Sequence, residues 1–471
     1  MRIKPGKGFF AFRIPLFLLA TALVFSFQNT AVLKERLEVL AKDPEFSHGM
    51  LSFHLCNAKG DSQIISLNGG KGMVPASALK AITTATALEI LKPDFTFKTE
   101  VGVQGKINAA QGSLDGNLII RGGGDPGLGS KHFGGTAFML EWVDKLKKAG
   151  IKEIKGSVIG DASLFGEEIT PSTWIWGDMG NYYGASPSGL NFCDNSFTVF
   201  YTTGESGSKA RISKIKPAVP EMKLESHVTA SGFSDQAFIY GGPFEKTRKV
   251  FGTIPAGKTD YEVEGSLPDP AFYCAWFLDS LLRAEGIKIS GQPKSFYVRS
   301  SDSLKISQTL FVHQSPSLQQ YVNLTNKKSN NLFAECIFRT LSAQGKAIPS
   351  ISASGQMVKN HWAGKGIDMN GFYMNDGSGL SRWNSLTAEQ FCRILGKMTT
   401  SPHFGAFQNS LVSGYGNLYY KSGYISRVRS YVGYRKQGNK IQTFSLIVNN
   451  YDCSPKMARE KLEWLLNELG K

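Results

Sequence analysis

Apolar and polar positions change rhythm several times along this 471-residue chain. Basic residues up to Arg13 precede an apolar run from Ile14 to Phe27, which at fourteen residues is too short to span a bilayer comfortably. A charged flank followed by a short apolar run is the order of a secretory signal. Residues 1–30 are therefore expected to be a signal peptide or an N-terminal anchor, with the mature chain starting near Ala31. From there the pattern predicts a helix over Ala31 to Lys42. Strands follow at Leu51 to Cys56 and Gln63 to Leu67, then a long helix from Ser77 to Leu91. Lys92-Pro93 closes that helix, because proline cannot continue its hydrogen-bond ladder.

Between about 97 and 300 the texture becomes β-rich. Short strand-like segments (Asn117 to Ile120, Ser157 to Ile159, Phe197 to Tyr201) alternate with glycine turns. Met139, Trp142, Val143 and Leu146, at i, i+3, i+4 and i+7, mark an amphipathic helix among them. A strand at Tyr261 to Gly265 and a helix at Pro268 to Glu285 complete the stretch. Helical patterns then return at Ser317 to Thr325, Leu332 to Ala343 and Thr387 to Met398. Near the end, Val428 to Arg435 and Lys440 to Asn449 read as an antiparallel pair about Gln437-Gly438-Asn439. Ser454-Pro455 opens a last helix with Leu462, Leu465, Leu466 and Leu469 on one face. The expectation is one α/β unit made from both ends of the chain, residues 31–96 plus 301–471. It is interrupted by an inserted region, 97–300, of two β-rich subdomains.

Composition narrows the classes. A hydrophobic fraction of 41% supports ordinary cores and excludes a disordered chain. Net charge is +15, but the excess is spread out, with clusters as short as Lys145-Leu146-Lys147-Lys148. That argues against nucleic acid, whose binders concentrate charge on one face, and fits a protein among anionic surface polymers. After export, peripheral or no membrane contact is expected. The cysteines Cys56, Cys193, Cys274, Cys336, Cys392 and Cys453 are scattered and form no CxxC. Cys336 lies on an apolar stripe with Leu332, Phe333 and Leu341 and reads as a core thiol. The seven histidines show no paired spacing, so no metal site is expected.

Three short segments carry candidate chemistry. In Pro75-Ala76-Ser77-Ala78-Leu79-Lys80, the three-residue spacing puts Ser77 and Lys80 on one helix face. A serine hydroxyl needs a base within reach, and a lysine serves only if its pKa is lowered. Lys328-Ser329-Asn330-Asn331 supplies a second hydroxyl and an amide, and by itself would be an ordinary helix cap. Lys421-Ser422-Gly423 sets a cation and a hydroxyl on a strand edge, where the glycine lets a substrate backbone approach. Another glycine pattern, Gly122-x-Gly124-x-x-Gly127, nominally matches a dinucleotide fingerprint. Asp125 would repel a pyrophosphate and Pro126 opposes an immediate helix, so it reads as a turn.

S-x-x-K, S-x-N and K-[ST]-G, in that order, form the active-serine set of penicillin-binding proteins and serine β-lactamases. Ser77 and Ser329 lie 252 positions apart (329 − 77). Asn375-Asp376-Gly377-Ser378-Gly379-Leu380-Ser381-Arg382, Asn181-Tyr182-Tyr183-Gly184-Ala185 and Gly122-Gly123-Gly124-Asp125-Pro126 accompany the three motifs. With them the chain, from about residue 35 onward, closely resembles the DacB-type D-alanyl-D-alanine carboxypeptidase/endopeptidases, class C low-molecular-mass penicillin-binding proteins. The resemblance implies a serine penicillin-recognising transpeptidase/β-lactamase-like domain, α/β (α+β), with an antiparallel sheet flanked by helices and a large β-rich insertion. It also implies an exported enzyme of the periplasm or cell envelope, acting on peptidoglycan peptides, inhibited by β-lactam antibiotics and needing no cofactor.

Roles come with the resemblance. Ser77 attacks the carbonyl and forms an acyl-enzyme. Lys80 takes its proton, kept neutral by nearby Lys421 and partial burial. Ser329 relays a proton to the leaving amine, and Asn331 bonds the substrate peptide. Lys421 and Ser422 hold a terminal carboxylate, while the N–H groups of Ser77 and Tyr424, beside Gly423, form the oxyanion hole. In related enzymes an arginine, an acid and an aromatic line a pocket for the free end of a diaminopimelate side chain. The matching positions are Arg382, Asp178 and Tyr183. Two departures bear on specificity. Ser422 stands where threonine is usual, and Tyr424 puts bulk where a small residue is more common. The alternatives are a serine β-lactamase-like hydrolase, against which the long gap and the lack of a dedicated deacylating base argue, and a catalytically silent wall-binding protein.

Overall fold

The structure, a computed structural model, describes residues 30–298, 304–344, 349–438 and 440–471. The expected leader up to residue 29, and Asn439 of the expected turn, lie outside the described residues. The two chain ends meet in a six-stranded antiparallel sheet. Its order is Val412–Gly414, Leu418–Ile425, Val428–Gln437, Lys440–Asn449, Met50–Cys56, Gln63–Leu67. Alternation along Lys440–Asn449 decides which face each side chain serves. Phe444, Leu446 and Val448 point outward, beneath Leu33, Leu37 and Leu40 of a helix at 30–41 and beneath Leu462, Leu465 and Leu469 of the Pro455–Leu469 helix. Ile447, Val432 and Tyr434 point inward, against Ile394, Leu395 and Met398 of the Ala388–Met398 helix.

Deep in that inner layer runs the helix Lys80–Ile90, preceded by a tighter turn at Ala76–Leu79. Every residue from Lys80 to Leu88 is buried, so this helix is enclosed on all sides as a central element, its polar side chains included. The Thr84 and Thr86 hydroxyls donate within the helix, to the carbonyls of Lys80 and Ile82, and the Thr83 hydroxyl donates to the Gly377 carbonyl at 2.6 Å. The helices Leu318–Lys328, Asn331–Ala343 and Ile351–Gly364 pack around it.

The inserted region forms a seven-stranded sheet and two three-stranded sheets around one contiguous apolar core. The expected amphipathic helix is there, at Phe138–Lys148, with Met139, Trp142, Val143 and Leu146 buried. One segment falls outside the unit expected for it. Gln308–Ser317 pairs antiparallel with Thr96–Asn108, so it belongs to the inserted sheet although it follows residue 301. The glycine pattern at 122–127 is a turn. Asp125 is buried there, accepting from the Tyr321 hydroxyl at 2.6 Å and from the Gly127 amide at 2.8 Å, which ties the insertion to the Leu318–Lys328 helix. Among the described residues no helix is long and apolar enough to cross a membrane.

Candidate active site

The three motifs converge where the Ala76–Leu79 turn, the start of the Asn331–Ala343 helix and the Leu418–Ile425 strand meet. Lys80 Nζ lies 2.9 Å from Ser77 Oγ, 2.6 Å from Asn331 Oδ1 and 2.7 Å from the Ser378 carbonyl. The Asn331 amide is oriented by its other end, which donates to the Tyr183 carbonyl at 2.7 Å. The oxygen therefore faces Lys80, and one amide hydrogen stays available for a ligand. Ser329 adopts a left-handed backbone (φ 57), and Asn330, not Ser329, caps the following helix by accepting from the Phe333 amide. That conformation turns the Ser329 hydroxyl toward Lys421 Nζ, 3.0 Å away. Lys421 also donates to the Ser422 carbonyl at 2.6 Å.

Tight backbone contacts hold the strand and the glycine loop against the nucleophile turn. A Cβ on Gly423 would come within 2.7 Å of the Ala78 amide nitrogen and 2.8 Å of the Pro75 carbonyl oxygen. A Cβ on Gly379, at φ +82, would meet the Ala76 carbonyl oxygen at 1.9 Å. Ala76 itself is held at φ 48, a strained value for a non-glycine residue.

Electrostatics refine the expected roles. Lys80 is completely buried, not partly, and burial lowers its pKa to about 7 against the opposing pull of Asp376 and Glu335. Lys421 is pushed well below the ordinary ammonium range by its own burial and then by the charge of Lys80. Of the two lysines, Lys421 is thus the one depressed by its neighbour, and burial, not Lys421, governs Lys80.

Ser77, Asp178, Tyr183, Ser329, Asn331, Arg382 and Tyr424 line one cavity of about 530 Å³. Lys80 and Lys421 lie beneath it. Tyr424 is half-exposed at the rim, with the Arg429 guanidinium 4.8 Å over its ring. Burial raises the Asp178 carboxyl, while the Tyr183 hydroxyl, 3.3 Å away, and the Arg382 cation draw it down. Arg382 donates to the Ser426 carbonyl at 3.1 Å and is otherwise exposed. Among the described residues no group of His, Cys, Asp and Glu is placed to hold a metal ion.

Two buried acids below the cavity carry weight that the sequence reading did not give them. The Glu335 carboxylate accepts from the amides of Gly377 and Ser378, at 3.0 and 2.7 Å. Asp376 accepts from the Trp174 indole at 2.9 Å, from Asn384 at 2.7 Å and from the amides of Gly379 and Ser381. The available signal for Glu335 is that it is the lone carboxylate of this helix, set between Ala334 and Cys336.

A buried lysine against a serine hydroxyl, on a helix behind an antiparallel sheet, defines a serine hydrolase of the penicillin-recognising class. More narrowly, the chain belongs to the D-Ala-D-Ala carboxypeptidase 3 (S13) family, which it matches over residues 33–469. It is 27% identical to D-alanyl-D-alanine carboxypeptidase DacB of Haemophilus influenzae, over 92% of this chain and 93% of that one. It is 25% identical to the D-alanyl-D-alanine carboxypeptidase of Actinomadura sp. (strain R39), over 80% of this chain and 70% of that one. The crystal structure of penicillin binding protein 4 (dacB) from Haemophilus influenzae superposes with a TM-score of 0.77 at 23% identity, covering 94% and 98% of the two chains, and shares the fold.

Proposed function

We propose that the protein is a serine D-Ala-D-Ala carboxypeptidase/endopeptidase that cleaves peptidoglycan stem peptides and cross-bridges through an acyl-enzyme on Ser77. The observation that carries this is the environment of Lys80 Nζ. Asn331 Oδ1 and the Ser378 carbonyl can only accept, so a neutral amine donates its two hydrogens to them. Its lone pair is left facing the Ser77 hydroxyl. Ser77 Oγ then attacks the carbonyl of the penultimate D-alanine as its proton passes to Lys80. The N–H groups of Ser77 and Tyr424 stabilise the oxyanion, single donors of this kind contributing roughly 3–4 kcal/mol. Ser329, beside Lys421, passes a proton to the departing amine as the C–N bond breaks, and water then releases the acyl group. The proton that Lys80 took from Ser77 replaces the one that Ser329 gives up, and Lys421 holds the terminal carboxylate together with Ser422.

On this reading residues 31–96 and most of 301–471 are the catalytic domain. The insertion supplies Asp178 and Tyr183 as one wall of the cleft, facing Arg382, for the zwitterionic end of a diaminopimelate side chain. The family supports export to the periplasm or cell envelope, with residues 1–30 as signal or anchor, and supports inhibition by β-lactams. A fluorescent penicillin should label the wild-type protein, with the adduct on the peptide containing Ser77 by mass spectrometry. Ser77→Ala should stay folded and unlabelled, and an adduct on that variant would overturn the assignment. Slow penicillin turnover beside rapid D-alanine release separates this reading from a β-lactamase.

A further inference from the structure

The Lys80 amine is held by a carbonyl, and that carbonyl is held by a carboxylate. Glu335 lies on the second turn of the Asn331–Ala343 helix, with no accessible surface. Its Oε1 accepts from both the Gly377 and the Ser378 amides, and its Oε2 is 3.1 Å from the Gly377 amide. Ser378, so fixed, presents its own carbonyl to Lys80 Nζ. The same helix carries Asn331, the other acceptor for that amine, on its first turn. One helix thus sets two of the three partners of the general base, one directly and one through a clamped loop.

A carboxylate with no accessible surface needs a reason, because burying it is costly unless the charge is used or balanced. The charged and titratable groups packed about Glu335 are few. Asp376 lies on the clamped loop and Lys80 on the nucleophile helix. Arg339 lies one turn further along its own helix, donating to the Glu168 carbonyl from the insertion. Arg339 is near enough to favour the Glu335 anion but spends a hydrogen bond elsewhere. The further cation in that interior is the protonated form of Lys80, which the reaction produces.

We propose that Glu335 is a positioning residue whose negative charge, acting through the clamped Gly377-Ser378 loop and across the buried interior, stabilises Lys80 when it takes the proton of Ser77. This deepens the serine-peptidase reading and rests on it. Burial and Asp376 raise Glu335 to about 7, opposed by the two amides and Arg339, which places it beside Lys80 on the pH scale. Lys80 feels the charge of Glu335, so the protonation of one depends on that of the other. A negative charge near an amine raises the amine's pKa, so removing it must lower that pKa.

The test is Glu335→Gln. One glutamine oxygen in the place of Oε1 still accepts from both amides, so the loop keeps its anchor while the charge is gone. The second-order rate of acylation by a chromogenic cephalosporin is measured against pH. The expected result is a plateau at least tenfold lower with the acid limb displaced to lower pH, because Lys80 deprotonates more easily but its cation loses its counter-charge. A lower plateau with an unmoved limb would make Glu335 merely structural, and an unchanged plateau would also overturn the proposal. If Glu335→Gln does not fold, Glu335→Asp, which keeps the charge, decides: an acid limb at the wild-type pH supports the role, and a limb displaced to lower pH overturns it. Failure of the serine-peptidase reading would look different, since the wild-type protein itself would then not be acylated at Ser77.

Discussion

On the proposed mechanism Lys80 has to be a base at neutral pH, and the fold lowers its pKa by removing water from it rather than by placing a cation next to it. Acylation should therefore fall by about tenfold per pH unit below roughly 7. Stopped-flow acylation across pH 5 to 9 checks the limb. Lys80→Arg should lose more than a conservative swap suggests, because a guanidinium stays protonated and cannot accept the serine proton. At least a thousandfold loss is expected, and near-normal acylation of that variant would remove Lys80 from the mechanism. At the far wall, Asp178 and Arg382 predict a preference. Peptides with a free meso-diaminopimelate end should be cleaved much faster than peptides with N-acylated lysine. Asp178→Ala or Arg382→Ala should erase most of the difference while penicillin still labels Ser77. Equal wild-type rates on the two peptides would sink the assignment.

Elements position these residues through contacts that tolerate no added atom. Gly423→Ala should force the Leu418–Ile425 strand away from the Ser77 turn, because the new methyl would overlap Ala78 and Pro75. Overpacking of this kind typically costs about 1–3 kcal/mol of stability. Acylation should suffer more, since the two amides proposed as oxyanion donors lie on the two elements and would separate. Calorimetry and acylation rates on the one variant distinguish the two losses. What could be read in the sequence follows the same physics. The Phe138–Lys148 helix was legible because its buried positions keep helical spacing, and the final helix because Ser454 and Pro455 mark its start. Gln308–Ser317 was not, because it keeps no clean alternation and borrows its sheet from Thr96–Asn108, about 200 positions away. The motif residues were legible because their chemistry is local in sequence. The amide contact from Asn331 to the Tyr183 carbonyl and the clamp of Glu335 on the 377–378 loop were not, since both are made only by tertiary packing.

Over the whole molecule, the net charge of +15 has no counterpart in the catalytic cleft, where cations and anions are mixed. On the proposed reading, that excess would attract the protein to an anionic wall at long range. Ser77→Ala protein should therefore be retained by anionic cell-wall polymer in a salt-dependent way. Retention should fall as ionic strength rises from about 0.01 M, where screening sets in near 30 Å, to about 0.15 M, where it sets in near 8 Å. Cosedimentation measures it, and salt-independent retention would show that contacts other than charge dominate.

The six-stranded sheet pairs His54 with Ser445, so its centre joins segments separated by almost the entire chain. Closing such a loop is entropically slow, and nothing local rewards it beforehand. During synthesis the hairpin Met50–Leu67 waits, with one edge unpaired, until the last strands have emerged. On the proposed export the delay is an advantage, because the chain would stay threadable until complete. The same delay makes the protein intolerant of truncation. A chain ending at Gln437 lacks the strand that covers Met50–Cys56, and it should appear as aggregate rather than as a smaller enzyme.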